Sequence, residues 1–86
     1  MTLNGKLMKN TGPLRDATVE RDIPGESFGA SLEECFLMLC KELEIPIPLW
    51  LKKNTKEFGR FHKTFFPADQ FLETVLFDRF ELTLER

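Results

Sequence analysis

The sequence predicts an α+β fold: a small antiparallel sheet, built from an N-terminal hairpin and a C-terminal strand, packed against one main helix and a second short helix. Three observations carry this expectation. Polar and apolar residues alternate near both ends of the chain, the pattern of strands with one face on a core. In between, Leu32, Cys35, Phe36, Leu39, Cys40 and Leu43 recur at helical spacing. A shorter run at helical spacing follows a segment braced by Pro46 and Pro48. With 86 residues the chain is expected to form one domain, residues 1–86.

The hairpin is expected over residues 2–23. Leu3 and Leu7 share one parity in its first arm; Ala17, Val19 and Ile23 share one in its second. Asn10-Thr11-Gly12-Pro13 supplies the turn. Gly5 marks a bulge or a close approach of neighbouring groups, and Arg21 stands on the apolar parity at the strand end. Ile23-Pro24-Gly25-Glu26 fits a type II turn, with proline fixing the second φ and glycine supplying the positive third.

Ser31 and Glu34 have the spacing of a capping box, so the main helix is expected from Ser31 to about Glu44, where Pro46 stops it. Its apolar stripe spans roughly 140° of the helical wheel. Leu37 and Met38 fall outside that stripe, on the polar side. Either the later half of the chain or a second copy must cover them.

Residues 45–51 read as extended, because alternate prolines hold the backbone there. Trp50 stands between Leu49 and Leu51, so it either closes the core or stands out as an interface anchor beside Lys52 and Lys53. Asn54 and Glu57 repeat the capping-box spacing. Phe58, Phe61, His62 and Phe65 then form one helical face, weakened by Gly59. One further helical turn is expected at 66–71, with Pro67 at its first position. Residues 76–85 alternate again, with Phe80, Leu82 and Leu84 inward and pairing starting near Asp78. Paired with the hairpin, this strand makes a three-stranded sheet.

The composition bounds the function. Apolar residues at 42% and charged residues at 30% describe a soluble globular chain. The longest apolar run, residues 35–40, is far short of the roughly 20 residues that span a bilayer, so no membrane contact is expected. No apolar stretch follows a basic one at the start, so a cytoplasmic protein is expected. Cys35 and Cys40 lie five apart on a helix, about 8–9 Å between Cα atoms, too far for a disulfide. They read as reduced thiols packed as small apolar groups.

Reactive chemistry is scarce. His62 is the one histidine, and it sits on a phenylalanine face. Both thiols lie on the core stripe, where apolar surroundings raise their pKa. Glu33 and Glu34 serve the helix dipole, and the glycines match no phosphate-binding pattern. No catalytic residue, cofactor or metal is expected, and the chain reads as no enzyme.

Residues 52–63 hold Lys52, Lys53, Lys56, Arg60 and Lys63 against Glu57, a local net of +4 in a chain whose total is −2. Interleaved with Trp50, Phe58 and Phe61, these cations have the pattern of a nucleic-acid footprint. Against that reading, the helical wheel puts the phenylalanines opposite the cations. Nine Phe and no Tyr also suit an enclosed core better than a recognition surface. The expectation is therefore a small soluble non-catalytic interaction module that binds a protein partner or itself, as a homodimer. Its candidate interface is Leu37, Met38 and Trp50. The alternative is an accessory nucleic-acid-binding protein acting through Lys52, Lys53, Lys56, Arg60 and Lys63.

Overall fold

The structure, a computed structural model, describes residues 1–10, 12–22 and 24–85. Its elements are β1 (Thr2–Lys9), β2 (Gly12–Glu20), α1 (Phe28–Leu43), α2 (Lys52–Phe61), β3 (Lys63–Pro67) and β4 (Arg79–Glu85). A single 3-10 turn, Ala68–Gln70, follows β3. The sheet is antiparallel throughout, in the order β2-β1-β4-β3. The α+β class holds, with one main helix and one short helix, but the sheet has four strands and not three.

The extra strand replaces the end of the expected second helix. His62 adopts a left-handed conformation at φ 59° and donates its N–H to the Phe58 carbonyl, closing α2. Phe65 then lies in β3 and not on a helical face. The turn expected at 66–71 shrinks to the 3-10 turn, with Pro67 closing β3 in front of it.

Both helix starts also differ from expectation. The main helix begins one turn early, at Phe28, because the Ser27 hydroxyl accepts the Ala30 N–H (3.2 Å). Ser31 already lies within the helix and donates its N–H to the Ser27 carbonyl (3.1 Å). In α2 the cap residue is Leu51, which has no side-chain acceptor. Asn54, at the third helical position, accepts the Leu51 N–H instead (2.9 Å). The end of α1 is as expected. Ile45 donates to Cys40 (3.0 Å) and Glu44 to Lys41 (3.1 Å), a Schellman closure just ahead of Pro46.

Cross-strand register fixes the two faces of the sheet. Leu3, Gly5 and Leu7 of β1 share a face with Leu84, Leu82 and Phe80 of β4. Thr64 and Phe66 of β3 extend it, beside Leu82 and Phe80. This face packs on α1 through the expected stripe: Cys35, Phe36, Leu39, Cys40 and Leu43 are buried and Leu32 is partly buried. β1 is the central strand of the hairpin side, so its alternation in burial is the cleaner; β2, at the edge, is mostly exposed. Gly5 marks a close approach, since a Cβ there would stand 2.7 Å from both Leu39 Cδ2 and Phe80 Cε1. The opposite face carries the rows Asp16-Lys6-Glu81-Phe65 and Thr18-Asn4-Thr83-Lys63, and Glu57 and Phe61 of α2 border its β3–β4 end.

Pairing in β4 begins near Asp78, as the sequence suggested. Asp78 N–H donates to Met8 (2.8 Å), and its carbonyl accepts from Ala68 (2.9 Å). Gly25 has φ 85°, as a type II turn requires, and Gly12 has φ 127°. Thr11 and Ile23, one from each predicted turn, lie outside the described residues.

Candidate functional site

Two surfaces flank the extended segment 45–51, and a buried polar cluster holds that segment in place. Asn54 is fully buried and uses all four hydrogen-bonding positions of its amide. Its Oδ1 accepts from Leu51 N–H (2.9 Å) and Gln70 Nε2 (3.1 Å). Its Nδ2 donates to Thr64 Oγ1 (2.8 Å) and the Phe65 carbonyl (3.0 Å). Gln70 in turn clasps Leu49, donating Nε2 to its carbonyl (2.9 Å) and accepting its N–H at the main chain (2.8 Å). The Thr64 hydroxyl continues to Glu57 Oε1 (2.6 Å). One cluster therefore ties the extended segment, α2, β3 and the 3-10 turn together.

That clasp decides where Trp50 points. Its ring packs against Phe36 (5.4 Å between centroids), Phe66 (5.4 Å) and Phe58 (6.0 Å), and its Nε1 donates to Thr55 Oγ1 (2.8 Å). Trp50 thus closes the core. Ile47, Leu49 and Leu51, its alternate neighbours, face outward and are exposed.

The first surface is a groove of about 330 Å³ between α1 and this segment. Gly29, Leu32, Glu33, Phe36, Leu37, Ile47 and Trp50 line it, and Glu33 is its sole charged residue. The structure brings Leu37 and Trp50 together here. Met38 is elsewhere: it is partly buried toward β2, where Arg21 Nη1 contacts its sulfur at 3.7 Å. Arg21 also pairs with Glu34 (3.1 Å), which accounts for a cation on the apolar parity of the strand end. Ile47, absent from the expected interface, is 56% exposed and is a more open wall than Leu37 at 42%. The alternation of prolines gave the only signal for it, by placing Ile47 and Trp50 on opposite sides of an extended chain.

The second surface lies on α2 and β3. Lys52, Lys53, Lys56, Arg60 and Lys63 are all exposed, as the sequence suggested. The expectation that the phenylalanines lie opposite them is wrong for two of three. Phe58 is buried, but Phe61 is 59% and Phe65 41% exposed, and both stand among the cations. Lys53 Nζ lies 4.9 Å from the Phe65 ring centre and the Arg60 guanidinium 6.0 Å from that of Phe61. Phe61, Phe65 and Lys63 line a hollow of about 270 Å³ with Glu57, Thr64, Glu81 and Thr83. An adjoining hollow, bounded by Lys56 and Arg60, shares Glu57 and Phe61 with it.

The thiols offer no open nucleophile. Cys35 and Cys40 are both buried and free. Burial pushes both upward, Cys40 to about 12. Among the described residues no group of three or more His, Cys, Asp or Glu is placed to hold a metal ion, and no helix is long and apolar enough to cross a membrane.

No protein-family model matches the chain, and neither a curated protein nor a solved structure matches it.

Proposed function

We propose that this chain is a non-catalytic interaction module that associates with a second copy of itself through the α1 groove. The observation carrying this reading is the adjacency of a groove and a ridge on one face. The groove walls are Leu32, Phe36, Leu37, Ile47 and Trp50. The ridge is the exposed side of an uncharged, proline-braced segment bearing Ile47, Leu49 and Leu51. A two-fold axis lets each copy insert its ridge into the other's groove, the isologous arrangement of most homodimers. Prolines keep the ridge extended in the free chain, which lowers the ordering cost of docking.

The sheet edges favour this surface by being poor alternatives. Met1 and Arg21 exchange main-chain bonds (2.9 and 3.1 Å), so alternation turns the main-chain groups of Asp16, Thr18 and Glu20 toward the free edge of β2. A two-fold pairing centred on Thr18 sets Asp16 opposite Glu20, and like charges oppose it. The β3 edge is short, ends in Pro67 and is covered by Asn54.

Trp50 is the one tryptophan and lines the groove, so its emission reports occupancy. The proposal predicts a blue shift as concentration rises into the high micromolar range. Leu37→Glu, at a residue 42% exposed, abolishes that shift while leaving the circular dichroism spectrum unchanged. Emission that is independent of concentration in the unmodified protein would overturn self-association.

A further inference from the structure

We infer that the α2–β3 face binds single-stranded nucleic acid, with Phe61 and Phe65 as stacking platforms and the surrounding cations as phosphate contacts. An exposed phenylalanine gains nothing from water, and here two of them border one hollow with Lys63 between them in sequence. Each ring already has a cation within reach of its π-system, at 4.9 Å for Lys53 and 6.0 Å for Arg60. Rings that accept bases, set beside cations that follow a backbone, are what sequence-tolerant single-strand binding requires.

The charge balance of the face supports the same ligand. Its five cations stand against Glu57 and Glu81, and both acids are engaged within the protein. Glu57 Oε1 accepts the Thr64 hydroxyl (2.6 Å), and Glu81 Oε2 pairs with Arg79 Nε (2.7 Å). Lys56 and Arg60 rim the second hollow, so the cationic lining runs on from the rings along α2. Asp16 and Glu20 of the outer sheet lie on β2, at the opposite edge of the sheet from β3, and Glu85 ends β4 two residues beyond Thr83. An acidic peptide would satisfy the cations but leave the rings without partners, which is why a nucleic acid is the better fit.

The test is fluorescence anisotropy of a labelled oligothymidine of about 15 nucleotides, long enough for a site of the usual size. Four neutralised phosphates predict affinity falling roughly 50-fold between about 50 and 200 mM salt. Lys56→Glu with Arg60→Glu removes binding. Phe61→Leu with Phe65→Leu keeps apolar bulk without a ring and weakens binding about tenfold or more; circular dichroism checks that each variant folds. Three results would overturn the inference: no binding at low salt, binding indifferent to the loss of both rings, or equal affinity for heparin or polyglutamate. Because Leu37→Glu lies on the other face, it leaves oligonucleotide binding intact, and the charge reversals leave self-association intact, so the two readings fail separately.

Discussion

Asn54 Nδ2 donates to the Phe65 carbonyl over 3.0 Å, and this contact covers the open edge of β3 with the side chain of a buried helical residue. Alternation along the β3–β4 pair sets this up. His62 accepts from Leu84 and Ala68 donates to Asp78, so Thr64 and Phe66 bond toward β4 while Phe65 faces away. The same amide holds Leu51 and Gln70, and through Gln70 the segment that walls the groove. Both proposed surfaces thus depend on one side chain.

Replacing Asn54 with alanine therefore costs more than a typical polar substitution. It strips partners from Leu51, Thr64, Phe65 and Gln70 at once, and buried groups left without partners cost about 1–3 kcal/mol each before relaxation. Urea denaturation is expected to show a loss of about 3 kcal/mol or more. Asn54→Asp is expected to fare no better, since a carboxylate cannot donate to the Phe65 carbonyl. A loss below about 1 kcal/mol would show that the cluster is not the brace described.

Gly5 predicts a steric penalty. An added Cβ meets Leu39 and Phe80 at 2.7 Å, and both are fully buried, so neither has an empty direction to yield into. Gly5→Ala is expected to destabilise by about 1–3 kcal/mol, the usual cost of overpacking. Thermal melting reads this directly.

Glu44 predicts a gain. It holds φ 56°, a left-handed conformation that costs a side chain about 1 kcal/mol or more and glycine very little. Part of the benefit is offset by the wider freedom of glycine in the unfolded chain. Glu44→Gly is expected to stabilise by about 0.5 kcal/mol in urea denaturation, with the concentration dependence of Trp50 emission unchanged.

The thiols set an alkaline limit. The Cys40 pKa rises from 9.0 to about 12 on folding, so below pH 9 both states keep the proton and stability is independent of it. Between those values only the unfolded chain releases the proton, and stability falls by about 1.4 kcal/mol per pH unit on account of this group. Cys40→Ala is expected to flatten that slope by the same amount relative to the parent protein. In the native state at neutral pH, a thiol reagent is expected to label both cysteines slowly, and quickly once guanidinium unfolds the chain. Rapid native labelling of one cysteine would reveal an open nucleophile and contradict the packing.

Most of the fold was legible because its signals were local and undiluted. The α1 stripe and the β4 alternation each combine large apolar residues on one side with charges on the other, and both packed as read. β3 was hidden because its alternation is mixed: Thr64 is polar though inward and Phe65 apolar though outward, beside the inward Phe66 and the outward Lys63. Helical spacing from Phe58 through Phe61 and His62 then ran on into it, and His62 takes the left-handed stop without being a glycine. The start of α1 was missed because Ser27 caps without the glutamate that makes Ser31 conspicuous. The groove was half legible. Leu37 broke the helical pattern visibly, whereas the outward turn of Ile47 depends on Gln70 and Asn54 fixing which side of the extended segment meets the core.

Sedimentation equilibrium of the unmodified chain tests the central reading most directly. Self-association through the α1 groove predicts a mass that rises with concentration from 10.0 kDa toward twice that value, and a Leu37→Glu variant that stays at 10.0 kDa throughout. A constant 10.0 kDa for the unmodified protein into the high micromolar range would contradict it.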